Sequence, residues 1–492
     1  MEETTLSRLC LISFKYNLYS ILYYYQNQGL QIKSLFECFP PNICENFMKI
    51  ASTILNPELL FYLFKKGIKE IYLPYYNEDI PLKKFISISE GITCMILNCV
   101  PLSERMIQKL VSHLPNIIVL KLSQTNVTDS TLEIIGKTCT YLECLDVSFC
   151  SITDNGLYVL CRSTENTEEV RCEHLKVLRI FNARITERGL ACVLMNIPIV
   201  KIYAELDIYL KSICCFIKYN FSKCLRIKCL NVLPIEERVN LLEILLSIPE
   251  VESLCIYRTS LEDADVISLP RFENLRRLSL SVNRNDKMLT FEDGVIYLLV
   301  ISGKQLDELR LNNFQYVNAY LIGKYCNNLR SLELYSIRHL YFRQDLSGEI
   351  KPILLSLNYL KLKNLLGKPW DDCLASIFRN SPNLMELIVM SSLCLTDAIM
   401  FQIIPVLKNV NYIIICNCDN ITKMSIYSVL DKITNLRSLW ISSRRNILTK
   451  TEEKLIQDYI MSNYITCDFF YQVNYNYTMD QGANLREMRF YF

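Results

Sequence analysis

Apolar–polar–apolar triplets recur along this chain at intervals close to 25 residues. Residues 120–122 and 145–147 are two such triplets, and a third at residues 178–180 follows after 33 residues. Alternate side chains of a β-strand point to opposite faces, so each triplet predicts a short strand with two buried residues and one outward residue. Between triplets, apolar residues such as Leu157 and Leu160 follow the spacing of an α-helix.

The full set of triplets predicts a repeat protein. One strand and one helix in every 22 to 33 residues is typical of leucine-rich repeats, which stack because a single unit cannot bury its own apolar face. We therefore predict an α/β leucine-rich repeat solenoid, a horseshoe with a parallel concave sheet and convex helices. The predicted strands lie at residues 71–73, 95–97, 120–122, 145–147, 178–180, around 202, 225–227, 254–256, 278–280, 309–311, 332–334, 360–362, 387–389, 413–415 and 439–441.

The pattern divides the chain into three parts. Residues 1–60 are predicted to form a small helical segment, and residues 61–463 the leucine-rich repeat solenoid. Residues 464–492 are rich in aromatic side chains and are interpreted as a C-terminal cap or tail. Hydrophobic residues make up 51% of the chain and charged residues 21%, which suffices for a folded core.

Charge and motif content exclude several classes of function. Fifty-three basic residues against 51 acidic ones give a net charge of +2, which predicts neither a nucleic acid nor an anionic membrane as partner. No apolar run reaches the roughly 18 residues that a membrane span requires. Only three histidines occur, and the phosphate-binding, nucleophile-elbow and zinc-protease motifs are absent from the sequence. We predict a non-catalytic protein without a cofactor.

The 22 cysteines are interpreted as reduced thiols. They are too dilute for a disulfide scaffold and no secretory signal precedes them, so we expect a cytoplasmic or nuclear protein. Cys99, Cys150 and Cys418 are assigned to the turn that follows a strand, where cysteine serves as a small buried hydrophobe. Because no paired Cys-x-x-Cys sets occur, we predict no metal site.

The N-terminal segment contains a narrow helical stripe. Leu6, Cys10 and Phe14 are four residues apart, and Thr5 stands where a helix could be capped. A large, a small and an aromatic side chain in one line suit insertion into a groove of a partner. This segment resembles the BC box, the helix that binds the elongin B–elongin C heterodimer. The alternative is that the stripe packs on the first repeat as a cap, which stacked repeats need.

A second element follows the stripe. The sequence Phe39-Pro40-x-x-Ile43-x-x-x-Phe47 resembles the cullin box that selects cullin-2, and the proline suits the first turn of a helix. Over about residues 1–60 the chain resembles the zyg-eleven homologue family, including its zer-one branch. Members of that family are substrate receptors of cullin-2 elongin B/C ubiquitin ligases. The resemblance implies a substrate-recognition subunit with elongin B, elongin C and cullin-2 as partners.

The family differs from this chain in one respect. Its members carry armadillo-like repeats that recognise an N-terminal glycine, and here strand patterns continue too far to leave room for them, so that specificity is not carried over. The outward strand positions are then the candidate substrate surface, and their excess of basic residues predicts an acidic protein partner. A solvated face without selected charge is the alternative. The candidate substrate-binding residues are Lys121, Arg179, Arg226, Arg310, Lys361 and Trp440.

Two other functions stay open. Phe39 and Pro40 would also fit the start of an F-box that binds Skp, although no tryptophan marks the end of such a box before residue 80. The chain would otherwise be a plain leucine-rich repeat scaffold whose first 50 residues only cap the solenoid.

Overall fold

The triplets form the centres of short parallel strands in a computed structural model of the chain. The model describes residues 36–51, 57–162, 170–219, 225–232, 241–257, 261–283, 289–343, 353–365, 373–392, 395–443, 447–463, 465 and 467–473. The contacts divide it into two compact units. Unit 1 contains the described residues up to Cys229 together with residues 241–248, and unit 2 contains residues 230–232 and those described from Pro249 onward.

Unit 1 contains a six-stranded parallel sheet in which neighbouring strands follow one another in sequence. Its strands are β1 (Glu70–Tyr72), β2 (Cys94–Ile96), β3 (Val119–Lys121), β4 (Cys144–Asp146), β5 (Val177–Arg179) and β6 (Lys201–Tyr203). Its helices are α1 (Pro41–Ala51), α2 (Pro57–Leu63), α3 (Leu82–Ile86), α4 (Glu104–Val111), α5 (Asp129–Thr138), α6 (Asp154–Cys161), α7 (Glu187–Asn196), α8 (Leu206–Tyr219) and α9 (Leu241–Ser247).

Unit 2 is built on a ten-stranded parallel sheet and a small second sheet. The large sheet contains β7 (Cys229–Val232), β8 (Ser253–Tyr257), β9 (Arg277–Ser281), β10 (Glu308–Asn312), β12 (Ser331–Tyr335), β14 (Tyr359–Lys363), β15 (Glu386–Met390), β16 (Tyr412–Cys416), β17 (Ser438–Ser443) and β18 (Asp468–Val473). The second sheet pairs β11 (Tyr316–Asn318) with β13 (His339–Tyr341). The helices are α10 (Asp263–Ile267), α11 (Ile296–Ser302), α12 (Ala319–Tyr325), α13 (Cys373–Arg379), α14 (Asp397–Ile403), α15 (Lys423–Lys432) and α16 (Lys450–Ser462).

The core of each unit is a stack of apolar residues in register. Leu120 pairs with Leu145, and Leu145 with Leu178, and each is fully buried. In unit 2, Leu309 pairs with Leu332 in the same way. Each strand thus buries its two apolar positions against the neighbouring repeats. The predicted leucine-rich repeat solenoid, with parallel sheets that alternate with helices, is confirmed.

One predicted strand is wrong and three strands are unpredicted. Residues 225–227 form no strand; the strand lies at β7 instead. Leu225 and Ile227 are buried, but so are Leu230 and Val232, so two successive triplets satisfied the same pattern. Strands β11, β13 and β18 lack a counterpart among the predictions, and β18 lies beyond the predicted end of the solenoid at residue 463.

A residue with left-handed backbone conformation follows many of the strands, one to three positions after the last strand residue. The backbone φ is 59° at Cys99, 59° at Phe149 and 53° at Asn417, and the amide of each donates to a carbonyl of the following repeat. The cysteine assignment is therefore corrected in one case. Cys99 occupies the left-handed position itself, whereas Cys150 and Cys418 lie one position later, where they are buried and their thiols reach backbone carbonyls.

Carboxylates on the helical side link successive repeats of unit 1. Asp129 at the start of α5 accepts hydrogen bonds from the amide of Thr153 at 2.8 Å and from its hydroxyl at 2.6 Å. Asp154 binds Thr186 in the same manner at 2.7 Å for both. A Cβ atom at Gly156 would lie 2.3 Å from the Asp129 carboxylate. The glycine is therefore required because the aspartate of the preceding repeat occupies the space of its side chain.

Candidate partner-binding surfaces

The described part of the N-terminal segment begins after the first predicted motif. Thr5, Leu6, Cys10 and Phe14 lie outside the described residues. Helix α1 begins at Pro41, where the missing N–H of proline costs no hydrogen bond. The carbonyl of Pro40 accepts from the amides of Ile43 at 3.1 Å and Cys44 at 3.2 Å, so Pro40 precedes the first turn.

The four residues of the cullin-box element have different surroundings. Pro40 is exposed, and Phe39 and Ile43 are half-buried. Phe47 is only 2% exposed, and its ring lies edge-on to Phe36 at 5.5 Å. Phe47 therefore anchors α1 in the core, and only the first part of the element presents a surface.

Several charged side chains join this segment to the first repeat, among them Glu45, Lys49 and Lys65. A carboxylate oxygen of Glu45 accepts from the amides of Lys69 at 2.7 Å and Glu70 at 3.2 Å. In the next repeat, the equivalent amides of Thr93 and Cys94 donate to the Lys69 carbonyl. Glu45 therefore supplies the acceptor that a preceding repeat would supply, which makes α1 a cap of the solenoid.

Another charged link comes from Lys65. Its ammonium group donates to the carbonyl oxygens of Phe36, Glu37 and Phe39, at 2.8 Å for Glu37 and 2.9 Å for Phe39. These carbonyls lie just before α1, so Lys65 fixes the approach of the chain to Pro40. The sequence did not reveal the links of Glu45 and Lys65, because the partners are 24 to 29 residues apart.

The outward row of the unit 1 sheet brings together two of the predicted substrate residues. Lys121 lies opposite Asp146, and Asp146 opposite Arg179. The Arg179 guanidinium lies 4.1 Å from the centroid of the Tyr203 ring on the next strand, within the range of a cation–π contact. Arg226, the third predicted residue here, is exposed but lies outside any strand because the strand at 225–227 is absent.

In unit 2, Arg310 and Lys361 lie on either side of an acidic residue. Arg310 binds the Glu333 carboxylate at 2.8 Å through two nitrogen atoms, and the Tyr335 hydroxyl donates to the same carboxylate. Burial alone lowers the pKa of Arg310, but the Glu333 carboxylate together with the nearby Tyr335, Tyr257 and Cys255 outweighs burial, so the net shift is upward. Burial lowers the pKa of Lys361, whose ammonium lies 5.5 Å from the Tyr335 ring centroid.

Trp440 belongs to an uncharged part of the same face. It is half-buried and lies 5.7 Å from Phe470, centroid to centroid, on strand β18. The register of the sheet places it in one row with Ile388 and Ile414. Of the six predicted residues, three lie in unit 1 and three in unit 2.

The described cysteines form neither disulfides nor a group that could hold a metal ion. The nineteen described cysteines are free thiols, and no three described His, Cys, Asp or Glu residues form a group that could hold a metal ion. Burial raises the pKa of Cys172, Cys326 and Cys373 to about 12, which keeps these thiols protonated. Of the helices described, none has the length and apolar character to cross a membrane.

One family model and several solved structures are similar to this chain. A family model described as Leucine Rich repeat matches residues 138–161. A leucine-rich repeat protein of Leptospira interrogans is 16% identical, with a TM-score of 0.42, and the match covers 84% of this chain and 92% of that chain. The TLR13–ssRNA13 complex gives 13% identity and a TM-score of 0.40, covering 82% of this chain and 63% of that chain. The yeast Rad7–Elc1 complex gives 13% and 0.33, covering 91% and 95%.

At TM-scores below 0.5, these matches say nothing about the function of this chain. No curated protein matches its sequence significantly. The chain has a leucine-rich repeat fold, which is a protein-binding scaffold and typically non-catalytic.

Proposed function

We propose that this chain is the substrate-recognition subunit of a cullin-2 elongin B/C E3 ubiquitin-protein ligase. Residues 1–60 would bind elongin B, elongin C and cullin-2, and the leucine-rich repeats would bind a protein substrate. The chain would supply no catalytic residue and would act by holding the substrate near the ligase.

The observation that carries this proposal is the division of roles within the cullin-box element. Phe47 is buried and fixes α1, while Pro40 is exposed and Ile43 half-buried at the start of the same helix. A docking element of this kind binds well when its contact residues are held on a rigid element before the partner arrives. The Lys65 hydrogen bonds to the carbonyls before α1 supply that rigidity.

Copurification with the ligase subunits tests the proposal. Affinity-tagged full-length chain should recover elongin B, elongin C and cullin-2. The double variant Leu6→Asp/Cys10→Asp should lose all three, because it places charges in the predicted elongin-binding stripe. The double variant Pro40→Ala/Ile43→Ala should lose cullin-2 and keep both elongins, whereas Asn42→Ala, an exposed position on the same turn, should keep all three.

A plain scaffold is the second candidate, and the Glu45 contacts favour it. They give the N-terminal segment a structural role as a cap that needs no ligase partner. Recovery of the elongins by the Leu6→Asp/Cys10→Asp variant at the wild-type level would refute the elongin-binding assignment. Recovery of Skp without elongin would instead identify an F-box receptor, and recovery of neither would identify the scaffold.

A further inference from the structure

The outward face of the unit 2 sheet changes from charged to apolar between neighbouring strands. Side chains at the central position of each strand form one row, because the strands pair without a shift in register. The first part of the row is charged and the second part is apolar. From β10 to β18, without β11 and β13, the row reads Arg310, Glu333, Lys361, Ile388, Ile414, Trp440 and Phe470.

The charged part of the row has a positive excess. Glu333 is engaged by Arg310 and by the Tyr335 hydroxyl, so its charge is already neutralised. Lys361 and Lys363 share one face of β14, because alternate residues of a strand point the same way. Lys361 is only 9% exposed and lies against the Tyr335 ring, whereas Lys363 is half-buried and forms no salt bridge with any residue that the structure describes. The charge of Lys363 therefore remains available to an acidic group of a partner.

The apolar part of the row adjoins these lysines. Ile388 on β15 pairs directly with Lys361, and Ile414 follows on β16. Both isoleucines are half-buried, and Phe470 at the far end is 50% exposed. Covering such side chains removes apolar surface from water, which favours a complex. Lys363 near these half-buried isoleucines thus complements a partner that places a carboxylate next to apolar side chains.

We propose that this face binds an extended peptide segment of a protein partner, with acidic residues against Lys363 and apolar side chains against Ile388 and Ile414. Interpreting that partner as a ligase substrate rests on the function proposed above. The peptide contact itself does not, and it is measurable on the chain alone without elongin or cullin.

Fluorescence polarisation on the full-length chain tests this contact. The probe is a fluorescein-labelled synthetic peptide in which two aspartates precede the apolar run Leu-Phe-Leu. Two matched peptides replace the aspartates by lysines or the apolar run by serines. We expect saturable binding of the acidic apolar peptide and at least ~10-fold weaker binding of both matched peptides, which corresponds to about 1.4 kcal/mol. Raising the salt concentration should weaken the acidic peptide most.

Variants on the same unit locate the site. Lys363→Glu should weaken the acidic peptide by ~10-fold and improve binding of the lysine peptide, and Ile414→Thr should weaken both by ~5-fold while keeping a β-branched residue in the strand. Lys304→Glu changes an exposed cation away from this face, and Met424→Asp an exposed apolar residue at the start of α15. Both controls should bind normally.

Several outcomes would overturn the proposal. They are equal binding of the acidic and lysine peptides, no saturable binding of any peptide, or an effect of Lys304→Glu as large as that of Lys363→Glu. Light scattering that shows a dimer dissociated by Ile414→Thr would assign the face to a second copy of the chain. If the full-length chain recovers the elongins but binds no peptide, this inference alone is refuted. If it binds the acidic apolar peptide but recovers no elongin, only the ligase assignment is refuted.

Discussion

Unit 1 and unit 2 use the same repeat in different proportions. Each strand of the unit 1 sheet has three residues and presents two of them outward, as Val119 and Lys121 do on β3. From β8 onward, strands of the large unit 2 sheet have five or six residues and present at least three, such as Glu308, Arg310 and Asn312 on β10. The sheet face of unit 2 is therefore wider, and it carries the row whose first part is charged and whose second part is apolar.

On the helical side, unit 1 has the more continuous series of links between repeats. In unit 1, carboxylate-to-threonine links connect four helices in succession, from Glu104 on α4 through Asp129 and Asp154. In unit 2 the corresponding links, Asp263 to Thr290 and Asp397 to Thr422, are separated in sequence by the second sheet. Unit 1 therefore couples its repeats through an unbroken series of carboxylate-to-threonine links, whereas unit 2 relies more on longer strand pairing.

The largest effect is expected from Gly156→Ala in unit 1. Alanine in a helix is favoured over glycine by about 1 kcal/mol, but here its Cβ would overlap the Asp129 carboxylate and separate it from Thr153. Overpacking of this kind costs about 1–3 kcal/mol, so the net change should be destabilising. Hydrogen exchange should show faster opening of α5 and α6, with unit 2 unaffected.

Gly91→Ala provides the control. A Cβ atom there would meet its nearest neighbour, the Ile68 carbonyl oxygen, at 3.4 Å, which is ordinary contact. The free energy of unfolding of the Gly91→Ala variant should therefore differ little from that of the wild type. Equal destabilisation by both variants would mean that glycine flexibility, and not the helix-side link, explains the effect.

The sequence was informative where a pattern repeats and silent where it does not. Alternation in many triplets predicted the strand positions, and it placed Lys121, Arg179, Arg310, Lys361 and Trp440 correctly on outward positions. It failed at residues 225–227, because a second triplet at Leu230 and Val232 competes for the same strand.

Contacts between residues that are distant in sequence explain why two candidate residues differ from their predicted roles. The position of Arg310 makes it an outward cation, yet its ion pair with Glu333 on the neighbouring strand neutralises its charge. Phe47 matches a cullin-box position, yet it packs in the core against Phe36. These contacts join residues that no local pattern relates. Periodicity therefore predicts which face a side chain shares, and the neighbouring strand decides whether its charge is available.

A second, smaller effect concerns the isolated link of unit 2. Burial alone raises the pKa of Asp397, but hydrogen bonds from Ser425 and Thr422 outweigh it and the net pKa is lowered. A carboxyl group with a depressed pKa in the folded state stabilises the fold above its ordinary pKa, and this contribution is lost as the pH falls toward the lowered value. Asp397→Asn should cost about 1–2 kcal/mol at neutral pH.

The variant should also flatten the dependence of stability on pH below about pH 4, near the ordinary aspartate pKa. Thermal unfolding of both proteins across that range measures the difference. Because the described residues show no further carboxylate-to-threonine link after the one to Thr422, increased hydrogen exchange should be largest in α14 and α15. Opening that spreads into unit 1 would contradict the separation of the two coupling modes.

The smallest effect tests the edge of unit 1, where strand coupling begins. Glu45→Ala leaves the amides of Lys69 and Glu70 without their carboxylate acceptor and should cost about 1 kcal/mol. These two amides should exchange faster, while those of Thr93 and Cys94, which donate to a backbone carbonyl, should be unchanged. Glu90→Ala, an exposed glutamate of the same unit, is the matched control.

The same variant separates the two roles of the N-terminal segment. If Glu45→Ala loosens β1 but still recovers the elongins, then capping and partner binding depend on different residues of the segment. If the Lys69 and Glu70 amides exchange at the wild-type rate, the carboxylate does not replace a preceding repeat. The first strand would then be held by the buried residues of α1, Phe47 among them, so a short strand would tolerate an open edge without a hydrogen-bonded cap.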